Sequence, residues 1–496
     1  MTSDAQGVLV IYTGGTIGSL PEDPLDPLSP LVPRKLDEVM SRLPNYDAMN
    51  KRITLAGSWV RLGTYSWEDP VDSSNMTFAD WQELATLIEA NYDDYEGFVV
   101  LHGTDTLAYT ASALAFMLDN LSKPVVLTGS QRPIAETRSD AVQNFVTAIE
   151  IAAAKSLGGV VVPEVCVYFR DHLLRGCRTT KLSASAYGAF ASPNYPYFGQ
   201  AGEHIRILQT LVRPASDHPL RVRGDLDPNI ASLDIFPGMS TALLRNILQT
   251  RDLKGLVLQA FGIGNAPTSP DFLDAIAEAV ADGKVILDIT QCRSGEVELG
   301  LYEVSAGLLA RGVIGGLDLT PEAALTKMAF VLGQELNSSR AADMLQIDLK
   351  GEQSKSIFNI HFHGEEIAGK PSGTATMIQT APIVEGDRYD PAKLQTALLR
   401  ILGIEPLEGR PGFLELRAFL DFPEATPETR VDTPHFLGEA RKAFDPETGP
   451  ESVFFEIDEV ARQFISGSST HSLTVVSLDG PLRWAKANIA LVTSAS

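Results

Sequence analysis

Cysteine is scarce in this chain. Only Cys166, Cys177 and Cys292 occur among 496 residues, an odd and widely spaced set that excludes a disulfide framework or a zinc cluster. Basic residues are outnumbered: 40 Lys and Arg against 63 Asp and Glu leave a net charge of −23. Such a chain repels phosphate backbones and anionic lipid, which argues against nucleic acid and membranes as partners. No apolar run reaches the ~18 residues of a membrane span. The first apolar run, in MTSDAQGVLVIY, is short and has no basic residue ahead of it, so it reads as a first strand rather than a signal peptide. The expected compartment is the cytoplasm. Internal repeats and low-complexity tracts are also missing.

What is present suits a large globular protein. The chain is 44% hydrophobic, with 40 Gly and 30 Pro spread along it, and its length predicts two to four domains of roughly 150 residues. Short apolar runs recur at GVLVIY (7–12), GFVVLH (97–102), PVVLT (124–128), 159–162, 256–259 and 285–289. Strands of that kind suit a sheet buried on both faces. Helical patterns lie between them, over 78–91, 106–120, 139–155, 240–250, 270–282 and 321–336. The alternation predicts an α/β fold with largely parallel sheets. Prolines crowd residues 191–237 and break the rhythm. The expected division is an α/β domain over 1–205, a connection with short strands over 206–237, and a second α/β domain over 238–352. Beyond 354 the segments 356–363, 412–419, 452–457 and 472–478 alternate or cluster apolar and β-branched residues between turns. They predict a β-rich, sandwich-like accessory domain over 354–496, with one helix over Pro391–Leu402.

Four short constellations carry possible chemistry. Thr13-Gly14-Gly15-Thr16-Ile17-Gly18 follows the first strand, and paired glycines permit a tight turn and close backbone approach. In open α/β sheets ligands sit at the carboxyl ends of strands, so a hydroxyl on that turn faces a cleft; an ordinary strand-to-loop turn would look the same. The lysine of a nucleotide P-loop is missing. His102-Gly103-Thr104-Asp105-Thr106 also ends a strand and offers a hydroxyl beside a carboxylate, although Asp105 could equally cap the next helix. His102 invites a Ser/His/Asp reading, but no Gly-x-Ser-x-Gly elbow accompanies it. In Arg178-Thr179-Thr180-Lys181, a lysine near a hydroxyl can act as its base when burial lowers the ammonium pKa; the alternative is a solvated surface lysine. Asp72-Ser73-Ser74-Asn75-Met76-Thr77 can cap the helix starting at Phe78 or receive a ligand carboxylate.

Taken in order, YTGGTIG, DSSNMT, LHGTDTLAYTAS, LTGSQRP, RGCRTTK, FGIGNAP and TQCRSG resemble the bacterial type I (cytoplasmic) L-asparaginases over residues 7 to about 352. Each motif is short, yet the ordered set is highly specific. The resemblance implies two α/β domains with most catalytic residues in the first. It implies Thr16 as nucleophile on the side-chain amide carbon and Thr104, Lys181 and Asp105 as a second triad in which lysine takes the threonine proton. Ser73, with Ser74 beside it, would hold the substrate α-carboxylate, and Asp105 the α-amino group. Asn265 stands where related enzymes lend an asparagine to a neighbouring subunit. The implied substrate is L-asparagine, with L-glutamine poorer because one more methylene displaces the amide. No metal or cofactor is implied, and a homodimer or homotetramer is.

This sequence departs from the family pattern in two places. Many relatives carry a tyrosine in the loop after TGGTIG; here 19–30 has none, and Tyr65 or a water would have to replace it. The cytoplasmic enzymes can be activated by asparagine at a second pocket, whose arginine falls at Gln259 although Thr180 and Cys292 match, so weak or absent allostery is expected. Residues 417–438 resemble the β-sandwich that accompanies tyrosinase-like copper enzymes. The paired-His copper ligands are not present, so His361, His363, His435 and His471 are expected to be structural or exposed. Two other functions compete with asparagine hydrolysis. One is the ammonia-generating subunit of a tRNA-dependent amidotransferase, which shares TGGT and HGTDT. The other is a catalytically weak asparagine sensor or scaffold, suggested by the missing tyrosine and the appended domain.

Overall fold

The structure is a computed structural model. It describes residues 7–495 apart from 24–25, 27–28, 300–302, 365–372, 377–388, 408–411, 447–448, 466–469 and 479–481. The first apolar run forms strand β1 (Val8–Gly14), buried along its whole length. It lies between β2 (Ser58–Val71) and β3 (Gly97–Leu101), parallel to both. β4 (Val125–Thr128) and β5 (Val165–Phe169) continue the parallel order β5-β4-β3-β1-β2. Antiparallel strands extend both edges to ten. A strand predicted over 159–162 is not formed: that stretch is irregular and unpaired, Gly158 closes the preceding turn with φ 71°, and pairing starts only past Pro163. A proline supplies no N–H to a ladder.

Three helices cover this sheet: α1 (Phe78–Ala90), α2 (Leu107–Met117) and α3 (Ala141–Ala152). The middle one is apolar all round because it is buried on both sides. One side meets the sheet. The other meets the second α/β unit, whose parallel sheet orders β6 (Ile230–Asp234), β7 (Gly255–Ala260), β8 (Val285–Thr290) and β9 (Ile314–Gly315). β6 falls within residues 206–237. Helix α4 (Pro321–Gly333) of this second unit packs on α2, with Phe116 and Phe330 stacked at 6.0 Å. Val100, Leu114, Leu287 and Phe330 belong to one continuous core, so the two α/β units pack as one body around α2.

Helix α5 (Ser338–Leu345) leads out of the second unit. Lys327, fully buried, lies 2.6 Å from Glu352 and donates to the carbonyls of Leu345 and Ile347 and to Gln353 Oε1. Burial would raise the Glu352 carboxyl, but the Lys327 charge and the hydrogen bonds it accepts outweigh that and hold it low. This pair pins the chain at its exit.

The remainder is two antiparallel sheets. β10 (Lys355–Gly364), β11 (Leu394–Pro406), β14 (Glu451–Glu456) and β16 (Lys486–Ser494) make one; the end of β10 passes into the other, built from Gly373–Thr376, β12 (Gly412–Leu420), β13 (Phe436–Phe444) and β15 (Thr470–Ser477). Ile360, Leu399, Leu416, Val475 and Ile489, drawn from both sheets, share one core, which is the sandwich arrangement. The helix predicted over Pro391–Leu402 is instead β11, after a single 3-10 turn at Pro391–Lys393. Its leucines favour a helix locally, but Ala397, Leu399 and Ile401 enter the core at a period of two and both neighbouring strands bond to it. Tertiary pairing decides such cases.

Candidate active site

The carboxyl ends of β1, β2 and β3 bring three of the sequence constellations together. Gly14 and Gly15 adopt φ 125° and 87°, conformations open to glycine. They turn the chain so that Gly15 lies against the next loop: a Cβ on Gly15 would sit 2.4 Å from Gly103 Cα. Gly103 in turn lies against Ser73, where a Cβ would come within 2.6 Å of Ser73 Oγ. The loops bearing Thr16, Thr104 and Ser73 are thus stacked backbone on backbone. Thr13 ties two of them, donating from Oγ1 to the Leu101 carbonyl at 3.0 Å. Thr106 ties the third, donating to the Ser73 carbonyl at 2.7 Å.

Lys181 reaches the second loop from a short strand beside the sheet. Its Nζ donates to Thr104 Oγ1 at 2.9 Å and to Asp105 Oδ1 at 2.6 Å. It is no surface lysine: its side chain is 17% exposed, against 65% for Asp105. Nor does Asp105 cap a helix. Thr106 holds the N-cap position of α2 without a side-chain cap bond, and the Asp105 carboxylate goes to Lys181. Ser73 is buried, whereas Ser74 is exposed and its hydroxyl donates to Asp72 Oδ1 at 2.7 Å. The cap of α1 is supplied elsewhere, since the Thr77 N–H and hydroxyl both donate to Asp80 Oδ2. Asn265 stands apart from this cluster. It lies in a turn after β7 where it exchanges backbone hydrogen bonds with Phe261, and its buried Oδ1 has no partner among the described residues.

His102 holds the loop from beneath. Its Nδ1 is 2.7 Å from the Gly103 carbonyl, which only a protonated Nδ1 can satisfy, so Nε2 accepts from Thr110 Oγ1 at 2.9 Å. Thr110 accepts in turn from Trp81 Nε1 at 2.9 Å. Burial pushes the imidazole down to about 4, so it stays neutral and structural. Tyr12, whose role the sequence did not signal, lies under the Thr16–Gly18 turn: a Cβ on Gly18 would fall 2.2 Å from its hydroxyl. Burial raises this phenol well above its usual range. Glu322 is a second such residue. From the first turn of α4 it accepts from Thr180 Oγ1 at 2.8 Å, which fixes the residue next to Lys181.

Tyr65 is not placed to replace a loop tyrosine. It is exposed and pairs with Ile11, three residues before Gly14, which itself pairs with Val71. In the loop after Thr16, strands Ser19–Pro21 and Leu31–Pro33 pair, while 24–25 and 27–28 lie outside the described residues. Gln259 donates to Ser232 Oγ and Thr180 to Glu322, so neither side chain is bonded to the other, and Cys292 is exposed. Of the accessory-domain histidines, His361 bonds Asp343 at 3.0 Å, His435 the Leu420 carbonyl at 2.8 Å and His471 Asp421 at 2.8 Å. The His363 side chain lies outside the described residues. Among the described residues no three His, Cys, Asp or Glu cluster as metal ligands, and no helix is long and apolar enough to cross a membrane.

Residues 7–213 match the family model "Asparaginase, N-terminal" and residues 229–345 the "Glutaminase/Asparaginase C-terminal domain". Over 347 residues the chain is 42% identical to L-asparaginase 1 of Escherichia coli K12, covering 70% of this chain and 98% of that protein. The chain belongs to the asparaginase family. Its fold over the two α/β units is that of crystalline L-asparaginase I from Vibrio cholerae, with a TM-score of 0.61 at 35% identity over 70% of this chain and 98% of that one. The 60 kDa lysophospholipase of Mus musculus is 39% identical over 358 residues, 70% of this chain and 62% of that protein. A component of the glutamyl-tRNA(Gln) amidotransferase of Pyrococcus abyssi is more distant, at 34% over 56% of this chain and 64% of its own length. As an asparaginase-family member the chain is an amidohydrolase, and the stacked threonine loops lie in its first α/β unit.

Proposed function

We propose that this protein hydrolyses L-asparagine to L-aspartate and ammonia without a cofactor. One observation carries the reading: Lys181 Nζ bridges Thr104 Oγ1 and Asp105 Oδ1 at 2.9 and 2.6 Å, on a loop packed against the one bearing Thr16. In this reading Thr16 Oγ adds to the side-chain amide carbon and its proton leaves with ammonia. Water then cleaves the Thr16 ester, activated by Thr104 with Lys181 as its base. Backbone N–H groups of the two loops face the developing oxyanion. Asp105 pairs with the α-amino group and Ser73 with the α-carboxylate, while Ser74 must release Asp72 before it can assist. Asn265 serves a neighbouring copy, which makes the active form a homodimer or homotetramer. The first α/β domain ends near 205, the second begins at β6 rather than at 238 and ends near 352, and the accessory domain follows from 354; the compartment is the cytoplasm, as for the type I enzymes. Without the arginine at Gln259, asparagine kinetics are hyperbolic.

Ammonia release from asparagine, glutamine and aspartyl amides tests this with wild type and Thr16→Ala. Wild type should act on asparagine best and glutamine less, and Thr16→Ala should be inactive. Tight asparagine binding without ammonia would make the protein a sensor. Release only with tRNA or a partner protein would make it an amidotransferase component.

A further inference from the structure

An unpaired cation lies far from the threonine loops, on the accessory domain. Strands β10, β11 and β16 send alternate residues into the sandwich core: Ile360 and Phe362, Leu399 and Ile401, Ala487 and Ile489. The residues between them face the other way. In register across the three strands, His361 lies opposite Asn488 and Asn488 opposite Arg400, with Lys486 opposite Leu402 one step along. Most of this outer face is covered, with His361, Arg400 and Asn488 buried, but Lys486 at its edge is exposed. The face meets the second α/β unit at α5 and at Lys284, and between them lies a partly open cavity of about 230 Å³.

Most of the polar groups in that cavity satisfy one another. Asn488 donates to Asn359 Oδ1 at 2.8 Å and Asn359 to Asp343 Oδ1 at 3.1 Å, while His361 Nε2 lies 3.0 Å from the same carboxylate. Arg400 is the exception. It lines the cavity and is 9% exposed, yet it has no hydrogen bond or ion pair with any described residue. Desolvation pushes its guanidinium down to about 10, with no carboxylate near enough to restore it. A buried charge without a partner is strongly unfavourable. Lys486 and Lys284 also line the cavity, and Lys284 is shared with Asp282 at 3.6 Å. Arg400, buried and unpaired, and the more exposed Lys486 therefore share the cavity with one lining carboxylate, Asp343, in a chain whose net charge is −23.

We propose that this cavity is a binding site for a small oxyanion, a carboxylate or phosphate group held by the Arg400 guanidinium with Lys486 at its side. The planar fork of arginine matches two oxygens of such a group. The space is smaller than the roughly 300–1,000 Å³ that takes drug-sized ligands, so the ligand is a small ion or short-chain acid rather than a nucleotide. The family models end at residue 345, and Arg400, Asn488, His361 and Lys486 all lie beyond it. The site thus belongs to the junction made by the accessory domain, and its ligand joins that domain to the catalytic body.

Calorimetric and thermal-shift titrations of the full chain with inorganic phosphate and with succinate, at constant ionic strength, test the proposal. Succinate lacks the α-amino group that Asp105 would bind, and because Ser73 could still take its carboxylate, the Arg400 and Lys486 variants separate this site from the threonine loops. At least one of the two should bind saturably and raise the melting temperature, and the stronger identifies the source of the oxyanion. Arg400→Met should weaken that binding roughly thirtyfold or more, and Arg400→Lys, which keeps the charge without the fork, by less. Lys486→Gln, a milder change, should weaken it a few-fold, and circular dichroism checks the fold of each variant. Saturable binding by neither ion in the wild type overturns the proposal. So does undiminished binding in a folded Arg400→Met or, should that variant not fold, in both Arg400→Lys and Lys486→Gln.

Discussion

Gly15→Ala tests whether the stacking of the two threonine loops is what builds the site. Gly15 has φ 87° and ψ 176°, a region essentially reserved for glycine, where an L-residue costs about 1–3 kcal/mol. Strain is only half of the effect. The added methyl would lie 2.4 Å from both the Cα and the N of Gly103, and because those atoms are backbone no rotamer can relieve the overlap. The loops must separate, and a displacement of about 1 Å at a reacting group costs on the order of 100-fold in rate. Gly57→Ala supplies the control. Gly57 has φ 79° in the hairpin turn before β2 with nothing within 4 Å of its Cβ direction, so alanine there meets strain of about 1 kcal/mol without a clash. Both variants should lose a few degrees of melting temperature, between about 2 and 10 °C. Only Gly15→Ala should lose about 100-fold or more in kcat/KM for ammonia release. If Gly15→Ala stays within a few-fold of Gly57→Ala, the loop contact does not position Thr16 and the account of the site is wrong.

Lys181→Met should lower kcat for ammonia release by about 10²–10⁴, and Lys181→Arg should not restore it, since arginine keeps the Asp105 pair but cannot give up a proton; an active Lys181→Arg would remove lysine from the role of base. His102, depressed to about 4 by burial, binds its proton more weakly folded than unfolded. Its contribution to stability is present above the unfolded value near 6.5 and is lost as pH falls from there to about 4, by about 3 kcal/mol in all. Denaturant titrations of wild type and His102→Gln across that window should show the slope reduced in the variant, and equal slopes would contradict the assignment. Lys327→Met strands the fully buried Glu352 carboxylate and should cost about 3–5 kcal/mol, with Lys327→Met/Glu352→Gln recovering part of the melting temperature; an additive loss in the double variant would show that the two do not act as a pair.

Local pattern carried much of this architecture and tertiary contact carried the rest. GVLVIY and GFVVL can be read as strands buried on both faces because every residue is apolar, and β1 and β3 are buried throughout. The stretch Ala397–Leu402 is apolar but for Arg400 and reads as a helix, because leucine-rich runs suit either structure until a partner strand arrives. The same limit applies at the site. Thr16, Thr104, Asp105 and Lys181 stand out in their motifs, and Lys181 does reach Thr104 and Asp105, from a residue 77 positions away in the case of Thr104. No spacing in the sequence foretells that Gly15 rests on Gly103, that Tyr12 lies beneath Gly18, or that Trp81, Thr110 and His102 form one chain of hydrogen bonds ending at the Gly103 carbonyl. Each depends on which strand lies beside which. Arg400 shows the same point from the other side. In sequence it is one cation in a leucine-rich run. Only the pairing of β11 with β16, and the covering of their outer face by α5, turns it into a buried charge that still lacks its counterpart. Residues whose meaning is set by strand order are therefore where substitution should be most informative, because a motif search would not have chosen them.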